Sequence, residues 1–250
     1  NIFWFKCINK RYARDLGDEI YILRKRFSSW RYAGMVNVSV KWLGHASFQI
    51  TADGKIIYID PYEGNYVDKA DIVLVTHSHY DHCDTSKIEK IRKNGTIIVS
   101  PPDCATKIRG NVRVLKPGES TTVGDIVIEA VHAYNVRRFR SPGVPFHPKG
   151  FGLGYLIKIG DKIIYHAGDT DFIPEMRELK NRGITLALLP SGGTYTMDNP
   201  EAAEAAIAIS PEIVIPMHRW DTSPEEFKRR VESTSNIKVV LLKPGEKYNL

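Results

Sequence analysis

The stretch DIVLVTHSHYDHCD, residues 71–84, constrains the fold more than any other part of the chain. DIVLV (71–75) is a short, almost continuous apolar run, suited to a strand buried on both faces. It passes directly into Thr76-His77-Ser78-His79-Tyr80-Asp81-His82, which holds three of the chain's eight histidines and a carboxylate. If the backbone stays extended, His77 and His79 point to the same side. Asp84 resembles a helix N-cap, so Asp81 and His82 fall in a turn. The stretch reads either as a polar surface turn or as a set of metal ligands. Imidazole and carboxylate are the groups Zn²⁺ takes in catalytic sites. Four ligand-type residues cannot easily reach one ion from so short a loop. Two ions, each completed from elsewhere in the chain, are therefore expected.

The surrounding pattern predicts a layered α/β domain. Strand candidates are VSVKWL (38–43), ASFQI (46–50) and KIIYID (55–60), with a hairpin turn at ADGK (52–55). Asp84 to Arg92 reads as a helix, and TIIVS (96–100) as the next strand. VRVL, TTV and DIVIEAVHA follow, then a polar loop from about Asn135 to Gly150, then a hairpin around Gly160-Asp161. The remainder alternates helices (PEMRELK, NPEAAEAAIAI, SPEEFKRRVES) with strands (ITLALLP, EIVIPMH, KVVLL). Lys55-Ile56-Ile57-Tyr58 recurs as Lys162-Ile163-Ile164-Tyr165, each leading to an aspartate, Asp60 or Asp169. This faint echo is compatible with a sandwich of two similar sheets with helices outside. Further ligand candidates then sit where strands give way to loops: His132 after DIVIEAV, Asp169 after Gly168, and His218 after EIVIPM.

Charge and cysteines narrow the function class. Of the formal net charge of +6, residues 1–34 contribute +5, from eight basic and three acidic side chains. The body from Met35 is nearly neutral, which argues against a nucleic-acid partner. Residues 1–34 read as a basic, aromatic extension, and 35–250 as a single domain. The extension is either a helix packed on the domain or a peripheral membrane or subunit contact. NIFWFKCINKR places apolar residues before charges, the reverse of a secretory signal. Three widely spaced cysteines, Cys7, Cys83 and Cys104, form no disulfide framework and suit the cytoplasm.

Set in this order, HxHxDH after an apolar strand followed by His, Asp and His resembles the metallo-β-lactamase superfamily. WLGHASF (42–48), VHAYN (131–135), HPKG (147–150), YHAGDTDFIPEM (165–176), PSGGTYTMDNPEAAEAA (190–206) and IPMH (215–218) look like its bacterial and archaeal metal-dependent hydrolases. That group includes the ascorbate-6-phosphate lactonases and N-acyl-phosphatidylethanolamine phospholipase D. The resemblance covers 35–250. It implies an αββα sandwich of two mixed sheets packed face to face, with helices outside. It also implies one metal held by His77, His79 and His132 and a second held by Asp81, His82 and His218, with Asp169 bridging. A carboxylate has two oxygens and can span two cations, which agrees. Zn²⁺ is the expected metal, with Mn²⁺ or Ni²⁺ as alternatives. A hydroxide between the ions would attack an ester, lactone or phosphodiester bond.

Asp81, Asp169 and His45 are the expected catalytic groups. His45 either orients a ligand or touches the reacting group, or else ties the sheet edge by a hydrogen bond. Arg137, Arg138, Arg140, His147 and Lys149 in the 135–150 loop either read an anionic substrate or form a solvated loop shaped by prolines. His166 is expected to point away from the metals, and Gly192-Gly193 to turn the chain. Competing readings are a nuclease or phosphodiesterase acting on RNA or nucleotides, and a non-catalytic binding module. In di-iron redox relatives a glutamate stands where this chain has His79, so histidine there favours hydrolysis.

Overall fold

The computed structural model describes residues 36–250; the basic extension at 1–34 lies outside the described residues. The first sheet runs through β1 (Val38–Gly44), β2 (Ser47–Ala52), β3 (Lys55–Ile59), β4 (Ala70–Leu74), β5 (Arg92–Ser100) and β6 (Asn111–Val114), which lie side by side in chain order. Its far edge is completed by the last strand of the chain, β16 (Lys247–Asn249), which pairs with β1. The second sheet has the order β15-β14-β13-β12-β11-β8-β7. Its members are β7 (Ser120–Val123), β8 (Ile126–Ala133), β11 (Gly152–Ile159), β12 (Lys162–His166), β13 (Leu186–Pro190), β14 (Ile213–Met217) and β15 (Lys238–Val239). A small ribbon, β9 (Phe139–Ser141) with β10 (Val144–Pro145), stands apart from both.

Each sheet begins antiparallel and turns parallel. β3 pairs antiparallel with β2 and parallel with β4; β12 pairs antiparallel with β11 and parallel with β13. Parallel strands need crossovers, and helices supply them. α1 (Thr85–Ile91) links β4 to β5, and α2 (Pro102–Ala105) precedes β6. A 3₁₀ helix (Pro174–Asn181), α3 (Asn199–Ile209) and α4 (Pro224–Glu232) serve the second sheet. PEMRELK is thus a tighter helix than the expected one, closed by i→i+3 bonds such as Arg182 N–H to Leu179 O.

The helices cover the outer faces. Ile88 and Ile91 of α1 pack with Tyr58, Val73, Val75 and Cys104 against the first sheet. Met176, Ala202, Ala206, Phe227 and Val231 do the same for the second. Tyr155 is fully buried, and its hydroxyl donates to Val75 O at 2.7 Å, joining β11 to the end of β4. These layers form the expected αββα sandwich of two mixed sheets with helices outside. Asp84 caps α1 by accepting from the Ser86 and Lys87 N–H groups, as its position in the sequence implied. Such a cap contributes on the order of 1 kcal/mol, and it ends the histidine loop at a defined place.

Candidate metal centre

The loop after β4, the 135–147 loop, the β12 end and the β14 end converge on one edge of the sandwich. Three groups of side chains there bring ligand atoms within 4.8 Å of one another: His77, His79 and His147; His45, Asp81, His82 and His218; and His77, His82 and Asp169. In the first, His77 Nε2 lies 3.0 Å from His79 Nδ1, which lies 3.2 Å from His147 Nε2. Asp169 stands between the groups. Its Oδ2 is 3.3 Å from His147 Nε2, 3.2 Å from His218 Nε2 and 3.5 Å from His82 Nε2.

The outward nitrogens of these rings are held by a second layer of groups. Asp60, fully buried at the β3 end, accepts from Thr76 N–H (2.7 Å), Thr76 Oγ1 (2.6 Å) and His82 Nδ1 (2.7 Å). With its proton given to Asp60, Thr76 Oγ1 accepts from His77 Nδ1 at 3.0 Å. His147 Nδ1 donates to Asn135 Oδ1 at 2.8 Å, and Asn135 Nδ2 is itself anchored on Asp171 and Tyr195 O. For His77, His82 and His147 Nε2 is thereby turned inward. Metal-binding histidines are fixed in this way.

Electrostatics agree with a site built for cations. Burial, reinforced by His82, holds His77 well below the ordinary imidazole range. Burial and the neighbouring His147 bring His79 down to about 4. His82 is opposed by burial, yet Asp169 and Asp60 raise it well above the usual value. Burial would raise Asp169, but His218 and His82 hold it well below the carboxylate range. Asp169 Oδ1, His82 Nε2 and His218 Nδ1 are buried with no hydrogen-bond partner. One proton can bridge a pair of facing nitrogens but not three at once. The donor set fits divalent metal: neutral imidazoles on one side, imidazoles with carboxylate on the other, and an oxygen between.

Six of the seven residues named as ligands from the sequence reach this centre: His77, His79, Asp81, His82, Asp169 and His218. His132 does not. Its ring lines a separate cavity of about 210 Å³ with Glu129, Tyr165 and Glu175, on the side of the 3₁₀ helix. The place it was expected to fill belongs to His147. After β8 the chain leaves the sheet, runs through the β9–β10 ribbon and returns, pinned where Asn135 N–H bonds His147 O at 2.8 Å and His147 N–H bonds Asn135 Oδ1. Strand-end placement was the wrong guide here because a loop closed on its own asparagine does the positioning.

The basic residues of that loop divide as well. His147 moves from the expected substrate contacts into the metal cluster. Arg138 is partly buried and pairs with Asp171 (2.6 Å) and Glu201, so it holds the loop together. Lys149 pairs with Glu175 at 2.8 Å and lies over Tyr134, away from the centre. Arg137 is exposed near Glu201. Of the five, Arg140 and His147 line the cleft over the centre. His45 Nε2 donates to Asp81 Oδ2 at 3.1 Å, and its carbonyl accepts from His218 N–H and Trp42 Nε1. Its orienting and sheet-tying roles coexist. His166 bonds Ala46 O and is buried between the sheets, as expected. Gly193 N–H is used by Met197 O, so that segment turns the chain. Asp60, Thr76 and Asn135 were missed. The one sequence signal was the strand-end position of Asp60.

The cleft, of about 390 Å³, has His79, Asp81, His147, Asp169 and His218 in its floor. Tyr80, Phe146, Tyr195, Trp220 and Arg140 form its walls.

Comparison with known proteins converges on one family. A beta-lactamase superfamily domain matches residues 39–218. A UPF0173 metal-dependent hydrolase from Caldivirga maquilingensis is 35% identical over 229 residues, 84% of this chain and 97% of the relative. One from Thermococcus kodakarensis is 38% identical over 233 residues, 85% of this chain and 100% of the relative. A crystal structure from Parabacteroides distasonis superposes with a TM-score of 0.76 at 34% identity, covering 82% of this chain and 93% of that one. The histidine and aspartate groups at the sheet edge lie within this shared span, and the chain belongs to the metallo-β-lactamase superfamily and, within it, to the UPF0173 metal-dependent hydrolase family.

Proposed function

We propose that this metal-dependent hydrolase is dinuclear and cleaves an ester, lactone or phosphodiester bond in a small or medium-sized anionic substrate. The observation that carries this reading is Asp169 Oδ2, set 3.2–3.3 Å from one nitrogen of each histidine group. His77, His79 and His147 would hold one ion, and Asp81, His82 and His218 the other, with Asp169 shared. Two divalent cations, Zn²⁺ being the expected species, supply an acidified water as nucleophile and a Lewis acid for the oxygen under attack.

The chain's own groups then have defined tasks. Asp60 and Thr76 keep His77 and His82 in the tautomer that faces inward, and Asn135 does so for His147. His45 donates to Asp81, which burial would raise but the His45 bond keeps low and therefore anionic. Arg140, at the cleft wall, is the group placed to meet a negative charge on the substrate. Attack by water is consistent with the cleft floor, where neither Ser nor Cys is present.

The test is metal content together with turnover. Protein loaded with Zn²⁺, Mn²⁺ or Ni²⁺ and desalted should retain close to two ions per chain and hydrolyse at least one of a panel of lactones, carboxyl esters and phosphodiesters. Retention of a single ion with full activity would refute the dinuclear reading. Salt-sensitive RNA cleavage in the same panel would favour the nuclease reading instead.

A further inference from the structure

The cleft walls carry a feature that metal binding does not require. Trp220 is 55% exposed beside the centre, although its backbone sits at φ 48°. A bulky residue rarely adopts this left-handed conformation, and such strain collects where function demands it. The ring is also seated with care. Its edges face His45 at 5.1 Å and His218 at 5.6 Å between centroids. Beneath it lies Gly192, where a Cβ would come within 2.7 Å of Trp220 Cδ1 and 2.4 Å of His218 O. Only glycine at 192 leaves room for this ring and the His218 backbone together.

Trp220 does not stand alone. Tyr195, 40% exposed, lies 6.4 Å from it and packs edge-on against Phe146 at 4.8 Å. Tyr80, 73% exposed, also lines the cleft. Large aromatic surfaces left in water around one small cleft are the mark of a binding surface for an apolar partner. Arg140 lies in the same wall, its guanidinium over Phe146 and hydrogen-bonded to Phe146 O. Among the described residues it forms no ion pair, unlike Arg138 beside it. Its charge is free to be met by a ligand.

We propose that Trp220, with Tyr195 and Phe146, is a stacking platform for a flat apolar group next to the scissile bond, and that Arg140 binds an anionic group on the same molecule. The substrate class is then an anionic ester carrying an aryl or similarly planar group. The ester bond rests on the proposed hydrolysis, whereas the platform itself is a binding property and can be measured separately.

The test compares phenylphosphonate with methylphosphonate, neither of which is hydrolysed, by calorimetry on the metal-loaded protein. Wild type should bind the phenyl compound about tenfold more tightly or better, as expected for burying and stacking one ring. Trp220→Ala should reduce that preference to within about twofold, and Trp220→Phe should restore most of it. Arg140→Gln should weaken both phosphonates by a similar factor. Equal binding of the two by wild type, binding of neither, or an unchanged preference in Trp220→Ala would overturn the platform; unchanged affinities in Arg140→Gln would overturn the anion contact. In parallel, kcat/KM is measured for phenyl and methyl acetate and for methyl phenyl and dimethyl phosphate. A phenyl preference in binding without turnover of any of these esters or of any lactone in the wider panel sinks the hydrolytic reading and leaves the platform standing. Turnover whose phenyl-over-methyl ratio in kcat/KM is the same in wild type and Trp220→Ala does the reverse.

Discussion

β3 and β12 are counterparts in the two sheets, each at the point where antiparallel pairing gives way to parallel pairing, and each carrying the letters Lys-Ile-Ile-Tyr. Their aspartates have nevertheless diverged in role. Asp60 N–H bonds Leu74 O in the first sheet, and the matching bond in the second is made by Ala167, to Leu188 O. Asp169 lies two residues further on, beyond Gly168 at φ 64°, where a Cβ would come within 2.5 Å of Leu153 O. Two extra residues and one permissive glycine carry the second carboxylate from a supporting position into the centre. Asp60 has both carboxylate oxygens engaged by Thr76 and His82, while Asp169 keeps Oδ1 free of hydrogen bonds. One aspartate orients the surrounding rings; the other lies among the candidate ligands.

Substitutions should separate these roles. Asp169→Asn keeps the shape but removes the charge, so metal content should fall to one ion or fewer and hydrolysis should drop about 10³-fold, the scale for losing a central electrostatic group. Retention of both ions and of wild-type turnover in Asp169→Asn would contradict the shared-ligand role. His147→Ala should lose the ion of the first group, read as a halving of metal content after dialysis. Asp60→Asn should act more mildly, because only the orientation of His77 and His82 is affected. Metal affinity in a chelator competition should fall about 10–100-fold, while kcat at saturating metal stays close to wild type. A kcat loss as deep as that of Asp169→Asn would erase the distinction between the two aspartates. His132→Ala should be the smallest change, with metal content equal to wild type.

Much of the site was legible because strand-end chemistry is local. DIVLV leading into THSHYDH, and EIVIPM leading into His218, reveal a buried strand and the group at its tip from adjacent letters alone. The same periodicities marked the strands and helices of an α/β domain, and the resemblance to the superfamily implied their arrangement as an αββα sandwich. His147 was not legible, since it reaches the centre through a bond to Asn135, twelve residues away, and through a loop folded around Asp171 and Arg138. The same holds for Asp60, whose partner His82 lies 22 residues further along. Nothing in a linear pattern says which loop returns to an edge. The pairing of β16 with β1 was hidden for the same reason: a three-residue strand has too little pattern to show itself.

The sequence by itself determined the class of chemistry, because imidazoles and carboxylates clustered after a buried strand have few other uses. It also pointed to a layered α/β domain, because strands buried on both faces need cover on both sides, while the sandwich of two sheets came from the resemblance to the superfamily. Which histidine joins His77 and His79, which aspartate holds the rings from behind and which arginine faces the cleft were decided only by the tertiary structure. Those choices depend on hydrogen bonds between distant residues, on the reach of one glycine-bearing turn, and on buried ion pairs that draw Arg138 away and leave Arg140 free.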